Sequence, residues 1–288
     1  MKIETATFPP PQAIATELFQ FGFKQVMACL FGGALLLGML LTRESATVSG
    51  LPRNDFLFLY AVGLQLMLIG LRLEHGKELV VVIAFHILAT GMEWFKTSPE
   101  IGSWQYPGEG AIFRIYQVPL FAGFLYSAVG SYIARAWRLF EFRFENYPSV
   151  AWTIILAAVA YLNFFTHHYI FDMRWVLIGA SFLIFGKTFI YIKNGDTHRR
   201  LPLLPGLFAV AFAIWIAENL GTYARAWAYP NQENGWQLVH FGKISAWYLL
   251  MLLSFVLVSL IQRKSLNRSD DANSLCIHVN PKKSMFHP

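Results

Sequence analysis

The sequence predicts an all-α, polytopic membrane protein of about eight transmembrane helices, arranged as two parallel four-helix pseudo-repeats. Three observations predict this fold. Hydrophobic residues make up 56% of the chain and charged residues only 14%, whereas a soluble domain carries about 25% charged residues. Eight apolar segments approach the length of a spanning helix, and one motif occurs twice, four segments apart. A chain so poor in charge cannot cover its own surface in water, which excludes a soluble enzyme, a disordered chain and a nucleic-acid-binding module.

The eight segments are separated by helix breakers or charged residues, among them Pro52, Pro148 and Pro202. A helix needs about 20 mostly apolar residues to cross the hydrocarbon core of a bilayer. The first segment is too long, and begins too far from Met1, to be a cleaved signal peptide. The predicted spans are 25–42, 54–73, 78–96, 117–138, 149–166, 173–193, 203–222 and 241–262.

These spans divide the chain into four parts. Residues 1–24 form an amphipathic segment, with Leu18 and Phe23 on one face and Glu17 and Lys24 on the other, which is typical of a helix on the membrane surface. The two four-helix halves are 25–138 and 149–262, and a polar tail follows at 263–288.

The distribution of positive charge predicts the orientation. With the N-terminus and every second loop on one side, that side carries fifteen Lys and Arg residues and the other side six. Cytoplasmic loops are enriched in these residues. We therefore expect a multi-pass protein of the cell inner membrane with both termini in the cytoplasm. The net charge of +6 is explained by contact with anionic lipid and needs no nucleic acid.

The repeated motif pairs a glutamate at a helix end with a Trp-x-Tyr-Pro loop. Glu93 ends the third span and is followed by Trp104 and Tyr106; Glu218 ends the seventh and is followed by Trp227 and Tyr229. Because four spans separate the copies, they run in the same direction through the bilayer. Both glutamates and both loops are therefore predicted at the outer side.

Other ionisable residues lie in or near the spans toward the same side. A charged side chain inside a bilayer usually marks a binding site or an ion pair. Helix ends could gather these residues with the two glutamates into one polar pocket. The candidate lining residues, besides the four aromatic residues of the two loops, are His86, His167, His168, Asp172, Asn219, His240 and Lys243.

Such a pocket suits acid catalysis on a lipophilic molecule. A carboxylic acid in an apolar cavity stays protonated more readily than in water and can act as a general acid. Aromatic faces can stabilise the positive charge that develops on a protonated alkene. Glu93 and Glu218 are therefore the candidate catalytic residues. The alternative is structural: the glutamates pair with Lys96, Arg225 or Lys243, and the loops are interfacial anchors.

We expect neither a metal nor another cofactor. HExxH and the Glu-x-x-His pairing of di-iron bundles are absent, although His167, His168 and His240 with a glutamate have the right chemistry for zinc or iron. No phosphate-binding loop or dinucleotide fingerprint is present. The expected partners are the bilayer and a lipophilic small molecule, and a homo-oligomer is left open.

Four stretches of the chain carry a family resemblance: 21–25, 102–107, 118–126 and 130–133. They resemble a bacterial integral-membrane family, the domain-of-unknown-function family 817, over roughly residues 15–265. This resemblance brings no established activity with it.

A more distant resemblance is to membrane carotenoid cyclases and hydratases. These are similar in having a helix-end Glu, an aromatic-x-aromatic loop and a Val-Pro at the next span, here Glu93, Trp104, Tyr106 and Val118-Pro119. The second copy lacks the Val-Pro, and neither glutamate carries the cyclases' Pro-x-Glu signature. The resemblance implies that Glu93 and Glu218 are the acids, but fold analogy is a weak warrant for function.

The sequence thus favours an enzyme that acts on an isoprenoid-like or carotenoid-like substrate by proton transfer from glutamate. The alternatives are a small proton-coupled transporter with the same residues at the repeat interface and a structural membrane protein. An enzyme requires an aromatic-lined pocket open to lipid. A transporter requires a pocket that opens to water on alternate sides and has acids near the midplane, and a structural protein should have every buried charge paired and no cavity.

Overall fold

Helices dominate the computed structural model, which describes residues 11–195 and 197–262. Helix makes up 63% of the structure. The predicted tail at 263–288 and the first ten residues of the amphipathic segment lie outside the described residues. The helices of the described chain are α1 (Pro11–Ala28), α2 (Leu30–Leu41), α3 (Arg53–Gly70), α4 (Gly76–Lys96), α5 (Phe121–Leu139), α6 (Val150–Thr166), α7 (Arg174–Phe185), α8 (Leu203–Tyr223) and α9 (Lys243–Ile261).

Each of the eight predicted spans overlaps one of the helices α2 to α9. Among the described residues, three helical segments are long and apolar enough to cross a membrane: Glu78–Lys96, Leu203–Tyr223 and Lys243–Ile261. A fourth candidate is the pair Ile14–Ala28 and Leu30–Leu41, which is bent by 68° at Cys29. The structure thus has three to four candidate membrane spans, together with shorter apolar helices at α6 and α7.

The prediction of one helix over 173–193 is wrong. Helix α7 ends at Phe185, and the chain continues as strand β6 (Phe189–Asn194), which pairs with β7 (Thr197–Pro202). Side chains along β6 alternate between buried and half-buried positions, which is the period of a strand. Apolar content over so short a run does not distinguish a strand from a helix.

Small sheets also qualify the all-α prediction. Strand β5 (Arg143–Glu145) pairs with β6, so the three-stranded sheet has the order β5-β6-β7. Two further two-stranded pairings occur in the loops, and each precedes a helix. They are β1 (Thr47–Val48) with β2 (Leu51–Pro52), and β3 (Arg114–Ile115) with β4 (Val118–Pro119).

Helices α4 and α5 pack closely because small residues face their neighbours. A Cβ atom at Gly123 would lie 2.5 Å from the ring of His86, and one at Gly130 would lie 2.8 Å from the Phe85 ring. This close approach brings the C-terminal end of α4 beside the N-terminal end of α5, and these ends carry Glu93 and Tyr126.

A buried arginine connects the first half of the chain to the second. The Arg53 guanidinium donates to the carbonyl oxygens of Met39 at the end of α2 (2.9 Å) and Ala224 at the end of α8 (2.8 Å). The last carbonyl groups of a helix lack intrahelical partners, and a cation there is favoured by the helix dipole. Arg53 therefore fixes the C-terminal ends of α2 and α8 beside each other.

We predict that Gly130→Val lowers stability, because its side chain would collide with Phe85 and Val81. Overpacking of this kind typically costs about 1–3 kcal/mol. The measurement is thermal unfolding of the purified protein in detergent. Gly179→Val in α7 is the matched control, since a Cβ there meets nothing within 4 Å. Equal melting temperatures for the two variants would contradict the close α4–α5 packing.

Candidate functional site

Glu93 lies in the last turn of α4, and its side chain is surrounded by aromatic hydrogen-bond donors. The residue is 1% exposed. Its Oε2 accepts hydrogen bonds from Trp104 Nε1 (2.8 Å) and the Tyr106 hydroxyl (2.7 Å), and its Oε1 accepts one from the Tyr126 hydroxyl (2.6 Å). A buried carboxyl group that lacked such partners would strongly destabilise the fold.

Glu218 lies near the end of α8 in a related environment and is 3% exposed. Its Oε1 accepts a hydrogen bond from the Tyr229 hydroxyl, and its Oε2 accepts one from Trp247 Nε1 at 2.6 Å. Each glutamate is therefore bound by the tyrosine of the loop that follows it and by an aromatic residue of the next helix.

The two Trp-x-Tyr loops also contact each other. Gln105 and Ala228, the middle residues of the motifs, form an antiparallel bridge. The backbone N–H of Gln105 donates to the backbone carbonyl of Ala228 at 2.9 Å, and the backbone N–H of Ala228 donates to the backbone carbonyl of Gln105 at 2.9 Å. The rings of Trp104 and Tyr229 meet edge to face across this bridge, with centroids 6.3 Å apart.

The copies differ at the tryptophan. Trp104 donates to Glu93, whereas the ring of Trp227 packs on α8, where a Cβ at Gly221 would lie 2.3 Å from it. Glu93 therefore accepts three hydrogen bonds and Glu218 accepts two.

Both glutamates line one end of a cavity of about 890 Å³. The cavity extends away from them between α2, α5, α8 and α9. Its walls on that side are mainly apolar, and they include Leu36, Leu125 and Ile214. The volume lies within the usual range of small-molecule sites, about 300–1,000 Å³.

Two lysines lie at the polar end of the cavity. The Lys243 ammonium is 4.3 Å from the centroid of the Tyr229 ring and 5.6 Å from that of Trp104, which are cation–π distances. Lys96 Nζ lies 2.8 Å from His168 Nε2 and 3.3 Å from His167 Nε2. Within the part of the chain that the structure describes, no ammonium or guanidinium nitrogen is within 4.0 Å of a carboxylate oxygen of Glu93 or Glu218.

The loop groups next to the glutamates remain neutral near pH 7. Burial, together with the adjacent carboxylate, raises the pKa of Tyr106 and of Tyr229 well above its usual value. Desolvation and then the charge of Lys96 lower the pKa of His168 to about 4. The tyrosines are therefore hydroxyl donors to the carboxylates, and the His168 imidazole next to Lys96 is uncharged.

The structure brings most of the sequence-predicted site residues to this cavity. Those that line it, besides the two glutamates, are Trp104, Tyr106, His167, Trp227, Tyr229, His240 and Lys243. Within this group His240 is exposed to solvent, and its Nδ1 accepts the Gly242 amide at 3.0 Å.

Four predicted residues have other contacts. His86 packs against Phe124, with ring centroids 4.7 Å apart, and His168 lies behind the cavity wall, in contact with Lys96 and His167. Asp172 pairs with Arg174 at 3.2 Å. Asn219 bonds backbone groups, donating to the Trp215 carbonyl and accepting from the Val239 amide.

Sequence reasoning did not select Tyr126, Trp247 or Arg174 for the site. Tyr126 belongs to the 118–126 stretch, and it occupies in α5 the role that Trp247 has in α9. No sequence signal places them beside the glutamates, because each contact depends on how a separate helix is rotated about its axis. Arg174 bonds to Ser245 Oγ (3.3 Å) next to Lys243, a contact between distant segments that no local pattern indicates.

No group of three or more His, Cys, Asp or Glu side chains in the described residues has the arrangement of a metal site. Donors and acceptors at the polar end are instead used among the carboxylates, phenols, indoles and imidazoles themselves.

Fold and site together define a mostly helical protein with three to four candidate membrane spans and a largely apolar cavity that carries two carboxylates at one end. The chain belongs to the family described as "Protein of unknown function (DUF817)", which it matches over residues 17–255.

The resemblance drawn from the sequence motifs is thereby confirmed. The chain is 38% identical over 247 residues to the "Uncharacterized protein YoaT" of Bacillus subtilis (strain 168), and the alignment covers 86% of this chain and 92% of that protein. No solved structure matches the chain. These comparisons add nothing to the resemblance to carotenoid enzymes, which stays a hypothesis.

We predict that Tyr106→Phe lowers the free energy of unfolding by about 1–3 kcal/mol, because Glu93 loses a buried hydrogen bond. The measurement is denaturant or thermal unfolding in detergent. Tyr116→Phe is the control, since that ring is 70% exposed and stacks on Trp94 without contacting either glutamate. A Tyr106→Phe protein as stable as the control would show that the aromatic donors contribute nothing to stabilising the buried carboxyl group.

Proposed function

We propose that this protein is a membrane enzyme that transfers a proton between a buried glutamate and a lipophilic, isoprenoid-like substrate. The observation that carries the proposal is the cavity of about 890 Å³, apolar along most of its length, with both Glu93 and Glu218 at one end. An apolar molecule would fill the cavity and present one end of its chain to the two carboxyl groups.

The proposed architecture has eight spans in two parallel halves, with both termini in the cytoplasm. Large apolar side chains are exposed on several helices, including Leu41 (77%), Leu66 (64%) and Leu183 (89%). Lipid would cover them, because water-soluble proteins rarely expose wide apolar surfaces. The reciprocal bridge between Gln105 and Ala228 supports a duplication, since it relates equivalent residues of the two motifs.

Different roles for the two glutamates follow from their hydrogen bonds. An ionised carboxylate has about four acceptor positions. Three are used at Glu93 and two at Glu218. Glu218 therefore has more room for a proton and for contact with a substrate, and we assign it as the proton donor. The ionised carboxylate of Glu93 then supplies the negative charge that stabilises a cationic transition state.

Aromatic side chains around the carboxyl groups suit this reaction. Trp104, Tyr126 and Trp247 line the cavity beside the glutamates, and the faces of their rings attract positive charge. Their N–H and O–H groups are directed at the carboxylates. The cavity wall can thereby stabilise a carbocation without supplying a nucleophile that would capture it.

The other two functions are less well supported. A structural membrane protein needs no cavity of this size. A proton-coupled transporter would place its acids near the midplane of the bilayer, whereas Glu93 lies in the last turn of α4 and Glu218 near the end of α8.

The proposal is tested by lipid mass spectrometry on a host strain that lacks the gene and expresses the wild type or a variant. With the wild type we expect a lipophilic metabolite to be converted to an isomer of the same mass, which chromatography before the mass spectrometer separates from the starting compound. Glu218→Gln should reduce conversion by about 10²–10⁴-fold, the usual contribution of a general acid, and Glu93→Gln should reduce it less.

Glu100→Gln is the matched control, because Glu100 lies in an exposed loop and should retain full conversion. A lipid profile that is the same for the wild type, both glutamine variants and the empty host would contradict the enzymatic proposal. Full conversion by Glu218→Gln would contradict the assignment of the acid.

A further inference from the structure

The polar end of the cavity carries more positive charge than the carboxyl groups use directly. Lys96, Arg174 and Lys243 all line it. Contacts connect them. Arg174 donates a hydrogen bond to the carbonyl of Gly242, the residue before Lys243, at 3.5 Å. Lys96 contacts His167 at the end of α6, and Asn163 of the same helix donates to Asp172, the ion-pair partner of Arg174. The three cations therefore surround one region.

Among the described residues, Arg174 is the one of these three with a carboxylate within ion-pair distance, that of Asp172 at 3.2 Å. Lys96 is 4% exposed, and its described neighbours are the two imidazoles. Lys243 Nζ faces the rings of Tyr229 and Trp104. The carboxylates of Glu93 and Glu218, for their part, accept hydrogen bonds from neutral phenol and indole groups. Basic and acidic side chains therefore both lie at this end, and none of the described lysines forms an ion pair with Glu93 or Glu218.

Lys243 also opposes the dipole of its own helix. It is the first residue of α9, where the dipole is positive and favours an anion over a cation. The first amide groups of α9 are already bonded, as in Lys243 N to the His240 carbonyl at 2.9 Å. A ligand would therefore be recognised by the ammonium group and the dipole, and not by free amides. The helix dipole therefore gives no reason for a half-buried cation at this position.

We propose that the cavity binds an amphiphile whose oxyanion headgroup, a phosphate or a carboxylate, lies between the ammonium groups of Lys243 and Lys96. The tail extends along the apolar part of the cavity toward Leu36 and Ile214. The headgroup supplies the charge-assisted hydrogen bonds that the lysines lack, and it leaves the first carbons of the tail beside Glu218. This inference rests on the proposed function, of which it names the substrate class.

The experiment measures equilibrium binding of three radiolabelled probes to the protein in phosphatidylcholine nanodiscs. Geranylgeranyl monophosphate and oleate carry the two candidate oxyanions. Geranylgeraniol is the uncharged alcohol with the same hydrocarbon chain as geranylgeranyl monophosphate. We expect the wild type to bind at least one of the anionic probes at least tenfold more tightly than geranylgeraniol. Whichever anion is preferred identifies the headgroup.

The variants test the lysines. Lys243→Met and Lys96→Met should each reduce the affinity for the preferred anion by tenfold or more. The affinity for geranylgeraniol should stay unchanged, and this result would show that the cavity is intact in both variants. Lys243→Arg should retain most of the preference. Lys187→Met is the matched control and should behave as the wild type, because Lys187 is exposed and does not line the cavity.

Equal affinity of the wild type for all three probes, or no binding of any of them, would overturn the inference. So would a preference for the anion that survives both methionine substitutions. Because binding and conversion are measured in separate experiments, the two proposals fail separately. Headgroup preference without any lipid change in the host would overturn only the enzymatic function, and lipid conversion without headgroup preference would overturn only this inference.

Discussion

Two carboxyl groups taken out of water place the main constraint on this structure. A buried carboxylate destabilises a fold by several kcal/mol unless hydrogen-bond donors replace the lost water. Glu93 and Glu218 receive theirs from aromatic residues that are distant in sequence: Tyr106 and Tyr229 from loops, and Trp247 from the following helix. The loops must therefore fold back over the helix ends, and there they meet each other through Gln105 and Ala228.

The surrounding packing makes these hydrogen bonds geometrically possible. Gly123 and Gly130 let α4 and α5 approach closely, which places Tyr126 opposite Glu93. Arg53 fixes the ends of α2 and α8, and these helices form part of the cavity wall. The cavity is thus lined by helices from early and late parts of the sequence, and both Trp-x-Tyr loops line its polar end.

The sequence alone predicts much of this fold. Hydropathy located helices α2 to α9, because apolar runs of this length have few alternatives in a chain so poor in charge. It failed at 173–193, where alternating Phe189, Ile190 and Tyr191 form a strand that pairs along its edges. The equivalence of Glu93 and Glu218 was readable from the spacing to the Trp-x-Tyr loops. That Tyr126 and Trp247 complete the two environments was not, because each depends on how a separate helix rotates about its axis. His86 illustrates the opposite error: it shares a helical face with Glu93 but faces Phe124.

The central claim is that the two buried carboxyl groups differ, with the proton on Glu218. Infrared difference spectroscopy between the wild type and each glutamine variant in nanodiscs measures this directly. A protonated carboxylic acid has a carbonyl stretching band that a carboxylate lacks and that shifts in D₂O. The account predicts that Glu218→Gln removes such a band and that Glu93→Gln removes a carboxylate band instead. Loss of a carboxylate band in both variants would contradict it.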